Sequence, residues 1–332
     1  MNHTIDTDYL FLATRVSALE RSMLSHERIE RMLEAATVED AAKVLAECKY
    51  PELEHVTLSG IDQMLATTRQ EVLEELYLYA PEKGLIDVFR VKYDYHNAKV
   101  LLKSEALGTD ANNLLLDLGR VPADDLAARV RSSELAGLPG SLSVSIAQAR
   151  DTLGSTRNPQ LADSLLDQAC YNDMQTLARE LESRFLQEYI RLNVDAINLK
   201  SMVRTLRMGK NADFLKGILL SGGSIDPERI TGAVGAGTFS PDIYANSPLK
   251  EAAEAGVTAS FGRQLTEFEK LCDDAIITFS KSARYTIIGE APVVSYLTAK
   301  ESELITVRIL LTGLLAGLPA QTIRERLREP YV

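Results

Sequence analysis

Three times along its length the sequence sets an acid, a small polar residue three positions later and a base two positions beyond that. The sets are Asp94, Asn97 and Lys99; Asp195, Asn198 and Lys200; and Glu303, Thr306 and Arg308. Carboxylate, amide and cation in that order can do two kinds of work. They can hold a ligand or a partner, or they can satisfy buried polar groups and so fix how helices pack. Threefold repetition favours packing, because a catalytic site is rarely triplicated inside one chain. Direct contact with a ligand or partner is the other reading.

Helical geometry sharpens the choice. Acid and amide, at i and i+3, are neighbours on one face and can share a hydrogen-bond network. The base stands five residues from the acid, about 140° around the helix, so the two cannot pair well within it. Each base should then find an acid on another helix, with Asp62, Asp167 and Asp273 of the preceding helices as candidates.

Other chemistry is harder to assemble. No GxxxxGK[ST] loop, HExxH pair or GxSxG elbow occurs. The glycines of Gly232-Ala-Val-Gly235-Ala-Gly237 are in the wrong order for a dinucleotide fingerprint and read as a loop. Asp273-Asp274 lacks a third acid for a metal box, and Asp124-Asp125 reads as a helix start. His3, His26, His55 and His96 are scattered, and Cys48, Cys170 and Cys272 are odd in number and far apart, which disfavours a disulfide framework or zinc site. Neither a cofactor nor a metal is expected.

The elements that must position the repeated residues are helices. Ungapped alignment joins Leu85 to Gly108, Leu186 to Gly209 and Val294 to Gly317. Each segment carries an apolar stripe: Tyr95, Ala98 and Leu102; Ala196, Leu199 and Val203; Leu304, Val307 and Leu311. Each closes on a glycine nine residues after the base, suited to positive φ at a helix end. Upstream, Asp62, Asp167 and Asp273 mark a preceding helix in each copy, and Gly119 to Leu126 weakly echoes Gly223 to Ile230. Continuous helical spacing runs from Asp6 to Glu34, Thr37 to Asp40 is a helix-opening box, and Ser59 to Tyr79 is a long helix. Loops are expected at Gly137–Ser143, Gly222–Pro227 and Gly232–Pro241. The expected fold is all-α in three helical repeat units, 1–109, 110–210 and 211–332.

Composition narrows the partners. With 36 basic against 47 acidic residues the net charge is −11, which argues against nonspecific nucleic-acid binding and direct adhesion to anionic lipid. Trp is absent, which disfavours a base- or sugar-stacking platform. No stretch approaches the roughly 20 apolar residues of a membrane span, so any membrane association would run through another protein.

These residues resemble a known family. Asp94-Tyr-His-Asn-Ala-Lys99 is similar to the D-x-HN-x-K signature of the C subunit of bacterial and archaeal V/A-type ATPases, counterpart of the eukaryotic d subunit. Asp195-Ala-Ile-Asn-Leu-Lys200, Ala299-Lys-Glu-Ser-Glu303 with Arg308-Ile-Leu-Leu-Thr-Gly313, and the tail Ile323 to Tyr331 resemble its later elements. The resemblance covers nearly the whole chain; Ala98 departs from it where Leu is usual. It implies three similar wedges around a pseudo-threefold axis, forming a funnel. It also implies a non-catalytic rotor adaptor without cofactor, peripheral on the cytoplasmic face of the membrane. Its partners would be the central shaft (D- and F-type subunits) and the proteolipid rotor ring, with torque linking ATP chemistry to proton or sodium transport. A helical scaffold of another cytoplasmic complex is the alternative, and an all-α enzyme is the least supported.

Overall fold

The computed structural model describes residues 6–235 and 239–332. His3 and Gly237, singled out above, lie outside them. The described residues are helices and connections, with no strand among them. The chain divides into two compact units, one of residues 1–81 with 245–332 and one of residues 82–244.

The first unit opens with a short 3-10 turn at Asp6–Tyr9, then α1 (Leu10–Glu20), α2 (His26–Leu33), α3 (Val38–Val44), a second 3-10 turn (Leu45–Cys48) and α4 (Leu58–Tyr79). The even helical spacing from Asp6 to Glu34 is therefore interrupted. Residues 21–25 leave the helix although neither Gly nor Pro marks the break. Ser25 restarts it as an N-cap, its hydroxyl accepting from the Arg28 amide, and Thr37 and Thr57 cap α3 and α4 in the same way.

The second unit contains α5 (Gly84–Leu107), α6 (Ala123–Ser132), α7 (Gly140–Thr156), α8 (Pro159–Glu180), α9 (Arg184–Arg207), α10 (Ala212–Lys216) and α11 (Pro227–Gly235). Two expected loops are shorter than their glycines suggested. Gly140 already opens α7, and Gly232 and Gly235 lie inside α11. The first unit resumes with α12 (Lys250–Ser260), α13 (Thr266–Lys281), α14 (Ala291–Leu315) and α15 (Ala320–Arg324).

The three aligned segments are α5, α9 and α14. Their apolar stripes are buried throughout, from Tyr95, Ala98 and Leu102 to Leu304, Val307 and Leu311. Their glycines, Gly108, Gly209 and Gly317, stand at φ +64, +63 and +66. At each, the next residue's amide reaches back five positions, as in Thr109 to Ser104, Lys210 to Thr205 and Leu318 to Gly313, which closes the helix end. Similar packing surrounds two of these helices. In the second unit α5 packs on α6, α7 and α8; in the first, α14 packs on α2, α3 and α4. The sequence period and the packing are thus offset at α5 and α14, each of which packs on elements that follow it in the cycle, although α14 also packs on the preceding α13 and α9 on the preceding α8. For α14, the last copy, the elements that follow are at the N-terminus.

No atom lies within 4 Å of a Cβ built on Gly108 or Gly209, so substitution there strains only the backbone. Gly108→Ala and Gly209→Ala should each cost about 1 kcal/mol, measured by urea unfolding. A neutral outcome at both would contradict the cap assignment.

Candidate functional site

The repeated acids end up in the core. Asp94 is 0% exposed, Asp195 2% and Glu303 6%. A buried carboxylate must fill its lone pairs or bear a desolvation cost of several kcal/mol. Each of the three does so with the backbone of a distant segment. Asp94 Oδ1 accepts the Val121 amide at 3.1 Å, Asp195 Oδ1 the Ile225 amide at 3.2 Å, and Glu303 Oε2 the Leu24 amide at 2.6 Å.

The amide residue makes a second grip in two copies. Asn97 Nδ2 donates to the Leu116 carbonyl at 2.8 Å while its Oδ1 accepts the Leu116 amide at 2.8 Å. Asn198 holds Leu220 in the same two-way manner, at 2.9 and 2.8 Å. One carboxamide therefore saturates one residue's backbone, and the acid seizes the chain five residues further on. In the third copy the residue five before Leu24 is Leu19, which lies inside α1 and whose carbonyl already accepts from Ser22. No free peptide group awaits a carboxamide there, and the position is the buried Thr306.

The seized segments correspond to one another. Gly119-Arg120-Val121 and Gly223-Ser224-Ile225 are the echo noted in the sequence, and Ser22-Met23-Leu24 is its third member, hidden at the N-terminus. The acid-bearing starts of α6, α11 and α2 follow in register, with Leu126, Ile230 and Ile29 buried alike. The glycines have a steric reason. A Cβ on Gly119 would overlap Asp94 Oδ1, and one on Gly223 would overlap Asp195 Oδ1. In the third copy, where the acid is the longer Glu303, Ser22 takes the glycine's register position.

The charge is handled differently in each copy. Asp94 pairs with Arg120 at 2.8 Å, and Arg120 also reaches Asp173 at 3.1 Å. Arg90 adds donors to the carbonyls of Leu118 and Gly119. Asp195 has Ser224 where Arg120 stands and takes that residue's amide at 3.0 Å. Glu303 pairs with the buried Lys300 at 2.6 Å and accepts the Tyr50 hydroxyl at 2.7 Å, with the Lys300 ammonium 4.5 Å from the Tyr50 ring centre. Arg120 and Tyr50 lie outside the aligned helices, and Lys300 lies within them where the other copies have Val91 and Leu192, so none of the three stood out as part of the repeat. Burial raises the carboxyl pKa of Asp94 and Asp195 above the ordinary range, working against the Arg120 pairing and the backbone amides that hold it down.

The bases lie nearer the surface than the acids, with Arg308 exposed and Lys99 and Lys200 half-buried. Lys99 pairs with Asp167 at 2.5 Å and Arg308 with Asp62 at 2.9 Å, so Asp62 and Asp167 do serve as partners. The pairing is shifted by one copy from the preceding-helix expectation: Lys99 reaches a helix that follows it, and Arg308 reaches back to α4. The cause is the offset packing, which puts α8 against α5 and α4 against α14. Asp273 is held by Arg328 of the tail at 2.8 Å, and Lys200 is half-buried on α9. Asp62 and Arg308 are about half exposed, where such pairs contribute roughly 0–1 kcal/mol. An orphaned buried amide costs about 1–3 kcal/mol, so the acids and not the bases dominate.

The remaining candidates stay apart. His96 is exposed on α5, 3.2 Å from the Leu114 carbonyl. Cys48, Cys170 and Cys272 are free and buried, and burial pushes the Cys48 thiol up to about 11, which makes it a poor nucleophile. Asp124 and Asp125 sit in the first turn of α6. Among the described residues no three of His, Cys, Asp or Glu gather as a metal ion would require, and no helix is long and apolar enough to cross a membrane.

Asp195→Ala, which orphans the Ser224 and Ile225 amides, should lose at least about 2 kcal/mol in denaturant unfolding, and Gly223→Ala about 1–3 kcal/mol. Lys99→Ala should stay within about 1 kcal/mol; equal losses at Lys99 and Asp195 would sink this ranking. The pH dependence has a definite sign. A carboxyl whose folded pKa is raised adds stability below its unfolded pKa and loses it as pH rises through the folded value. The advantage of the natural chain over Asp195→Asn should therefore be greatest at acid pH and shrink on the way to neutrality.

Known proteins resemble this chain in sequence from end to end. The family model described as ATP synthase (C/AC39) subunit matches residues 12–326. The C subunit of the V-type sodium ATPase of Enterococcus hirae is 22% identical over 325 residues, covering 98% of this chain and 99% of its own. The V-type ATP synthase C subunit of Thermus thermophilus is 23% identical over 97% of this chain and 99% of its own, and the A-type ATP synthase C subunit of Methanocaldococcus jannaschii is 21% identical over 96% and 86%. With a match that runs through all three acid–polar–base sets, the chain belongs to the ATP synthase (C/AC39) subunit family.

Proposed function

We propose that this chain is the non-catalytic rotor adaptor of a V/A-type rotary ATPase. It receives the tip of the central shaft, built from D- and F-type subunits, and sits on the proteolipid ring at the cytoplasmic face of the membrane. Torque passes through it, coupling ATP hydrolysis or synthesis to proton or sodium movement. The three repeat units, 1–109, 110–210 and 211–332, form three wedges about a pseudo-threefold axis, with a funnel between them for the shaft. The observation that carries the reading is the family match over residues 12–326. The physics agrees with it. A torque element needs stiffness, and helices pinned by buried clamps at several points resist shear better than helices held by apolar contact alone. The repeated acids are spent on packing, which leaves the mechanical role as the use of the fold.

A tagged copy purified from native membranes in mild detergent should bring down the ATPase head, the shaft and the ring proteolipid, identified by mass spectrometry. Membranes lacking the chain should keep ATP hydrolysis by the head and lose ATP-driven ion transport. Recovery of an unrelated soluble complex without ATPase subunits would replace this reading with the scaffold alternative.

A further inference from the structure

A groove of about 790 Å³ on the second unit takes no part in the clamps. Its walls are the C-terminal ends of α5 and α7 and the first turn of α8, and Leu102, Leu107, Leu153 and Pro159 give it an apolar lining. Leu107 is 74% exposed, and Leu161, beside Pro159 on α8, is 40% exposed. The lining also holds three cations and two carboxylates. Lys103 pairs with Asp163 at 2.6 Å and Arg150 with Glu105 at 2.9 Å. The third cation, Arg157, makes no ion pair among the described residues and is exposed. The groove is thus basic by one charge in a chain of net −11.

The other unit shows what this end of the helix accommodates. Counting from the matched acids Asp167 and Asp62, α8 begins eight residues upstream (167 − 159) and α4 only four (62 − 58). In place of the missing turn the first unit has the irregular stretch 49–57. Its Tyr50, Leu53 and Val56 join the apolar cluster of Leu310, Leu311 and Leu314 on α14. Leu311 is the equivalent of Leu102 in the repeat alignment. Between those apolar residues stand Glu52 and Glu54. In that copy, then, the chain covers the helix end with its own strip of interleaved acidic and apolar residues. In the α5 copy the connection between α7 and α8 is only Arg157 and Asn158; Leu102 is buried beneath the groove, Leu153 is half-buried, and Leu107 stays open.

We propose that the groove is a docking site for an extended acidic–apolar segment of a partner protein. Its apolar side chains lie on Leu107 and Leu153, above the buried Leu102, and a carboxylate pairs with Arg157. Arg157, with no ion pair among the described residues, specifies the carboxylate, and the strip on α14, whose Tyr50, Leu53 and Val56 join the apolar cluster there, specifies the apolar side chains. The inference does not depend on the rotary reading, because it defines the partner by its residues.

The test places p-benzoylphenylalanine at position 107 of the tagged full chain, made in its own host. The membranes are irradiated and the adduct is sequenced by mass spectrometry. Both 107 and 157 are exposed, so substitution there leaves folding intact, checked by thermal melting. The expected adduct joins position 107 to a peptide of another protein in which apolar residues flank Asp or Glu. Arg157→Glu in the same chain should cut its yield about tenfold, the effect of one repelled charge pair. Absence of adduct, adduct with lipid alone, adduct with a basic peptide, or a yield indifferent to Arg157→Glu would each overturn the proposal. An adduct of the expected chemistry to a protein outside the ATPase would keep the docking site and remove the rotary role.

Discussion

A carboxylate taken out of water must be given hydrogen-bond donors, and in this protein the donors come from backbone far along the chain. Val121 answers Asp94, Ile225 answers Asp195, and Leu24 answers Glu303 across 279 residues of sequence. Neither side can be buried without the other, because acid and amide alone in the core would each be unsatisfied. The requirement fixes where the chain must turn after α5 and after α9 and, for α14, where it must turn between α1 and α2, and it holds α6, α11 and α2 in register at their N-termini. The helix stripes supply the bulk of burial, but stripes can slide by a turn. A carboxylate on two specific atoms cannot.

The three clamps also show how a repeat tolerates change. What is kept is one oxygen on one backbone amide. The compensating charge comes from the loop in the first copy, as Arg120, and from the helix itself in the third, as Lys300; in the second, Ser224 replaces the arginine and its own amide fills the vacancy. Side-chain length is exchanged in the same way. Aspartate is matched with glycine twice, and glutamate with Ser22 once. The third clamp has a further consequence, since it joins the last long helix to the first residues of the chain and makes one unit of the two termini. That unit is closed by more than one contact: Arg324 grips Glu30 at 2.7 Å, and the Tyr331 hydroxyl donates to Glu20 at 3.1 Å.

Much of this was legible in the residues, and the rest was hidden for physical reasons. The helices, their buried stripes and their glycine ends are local properties, carried by spacing within a turn or two. The acid and the asparagine were visible as a pattern, and so was the faint likeness of Gly119–Leu126 to Gly223–Ile230. What no spacing revealed is that the second pattern receives the first, because that is a long-range contact. The third receiver was harder still. Ser22-Met23-Leu24 has no glycine, lies in a stretch of even helical periodicity, and belongs to the far end of the sequence. Arg120 and Lys300 neutralise equivalent acids from unrelated positions, which an ungapped alignment cannot pair. The glycines of α7 and α11 misled in the other direction, since both helices tolerate them where no side chain is needed for packing.

The family match places this chain among the subunits of rotary ATPases. If the clamps hold the fold in register, their amides are held as firmly as the helix interiors. Residue-resolved hydrogen exchange on the full chain reads this directly. The amides of Leu24, Val121 and Ile225 should exchange as slowly as those in the middle of α5 and α14, although all three lie outside helices. Exchange at the rate of the surrounding connections would mean that the clamps open freely, and the buried carboxylates could not then be what holds the fold in register.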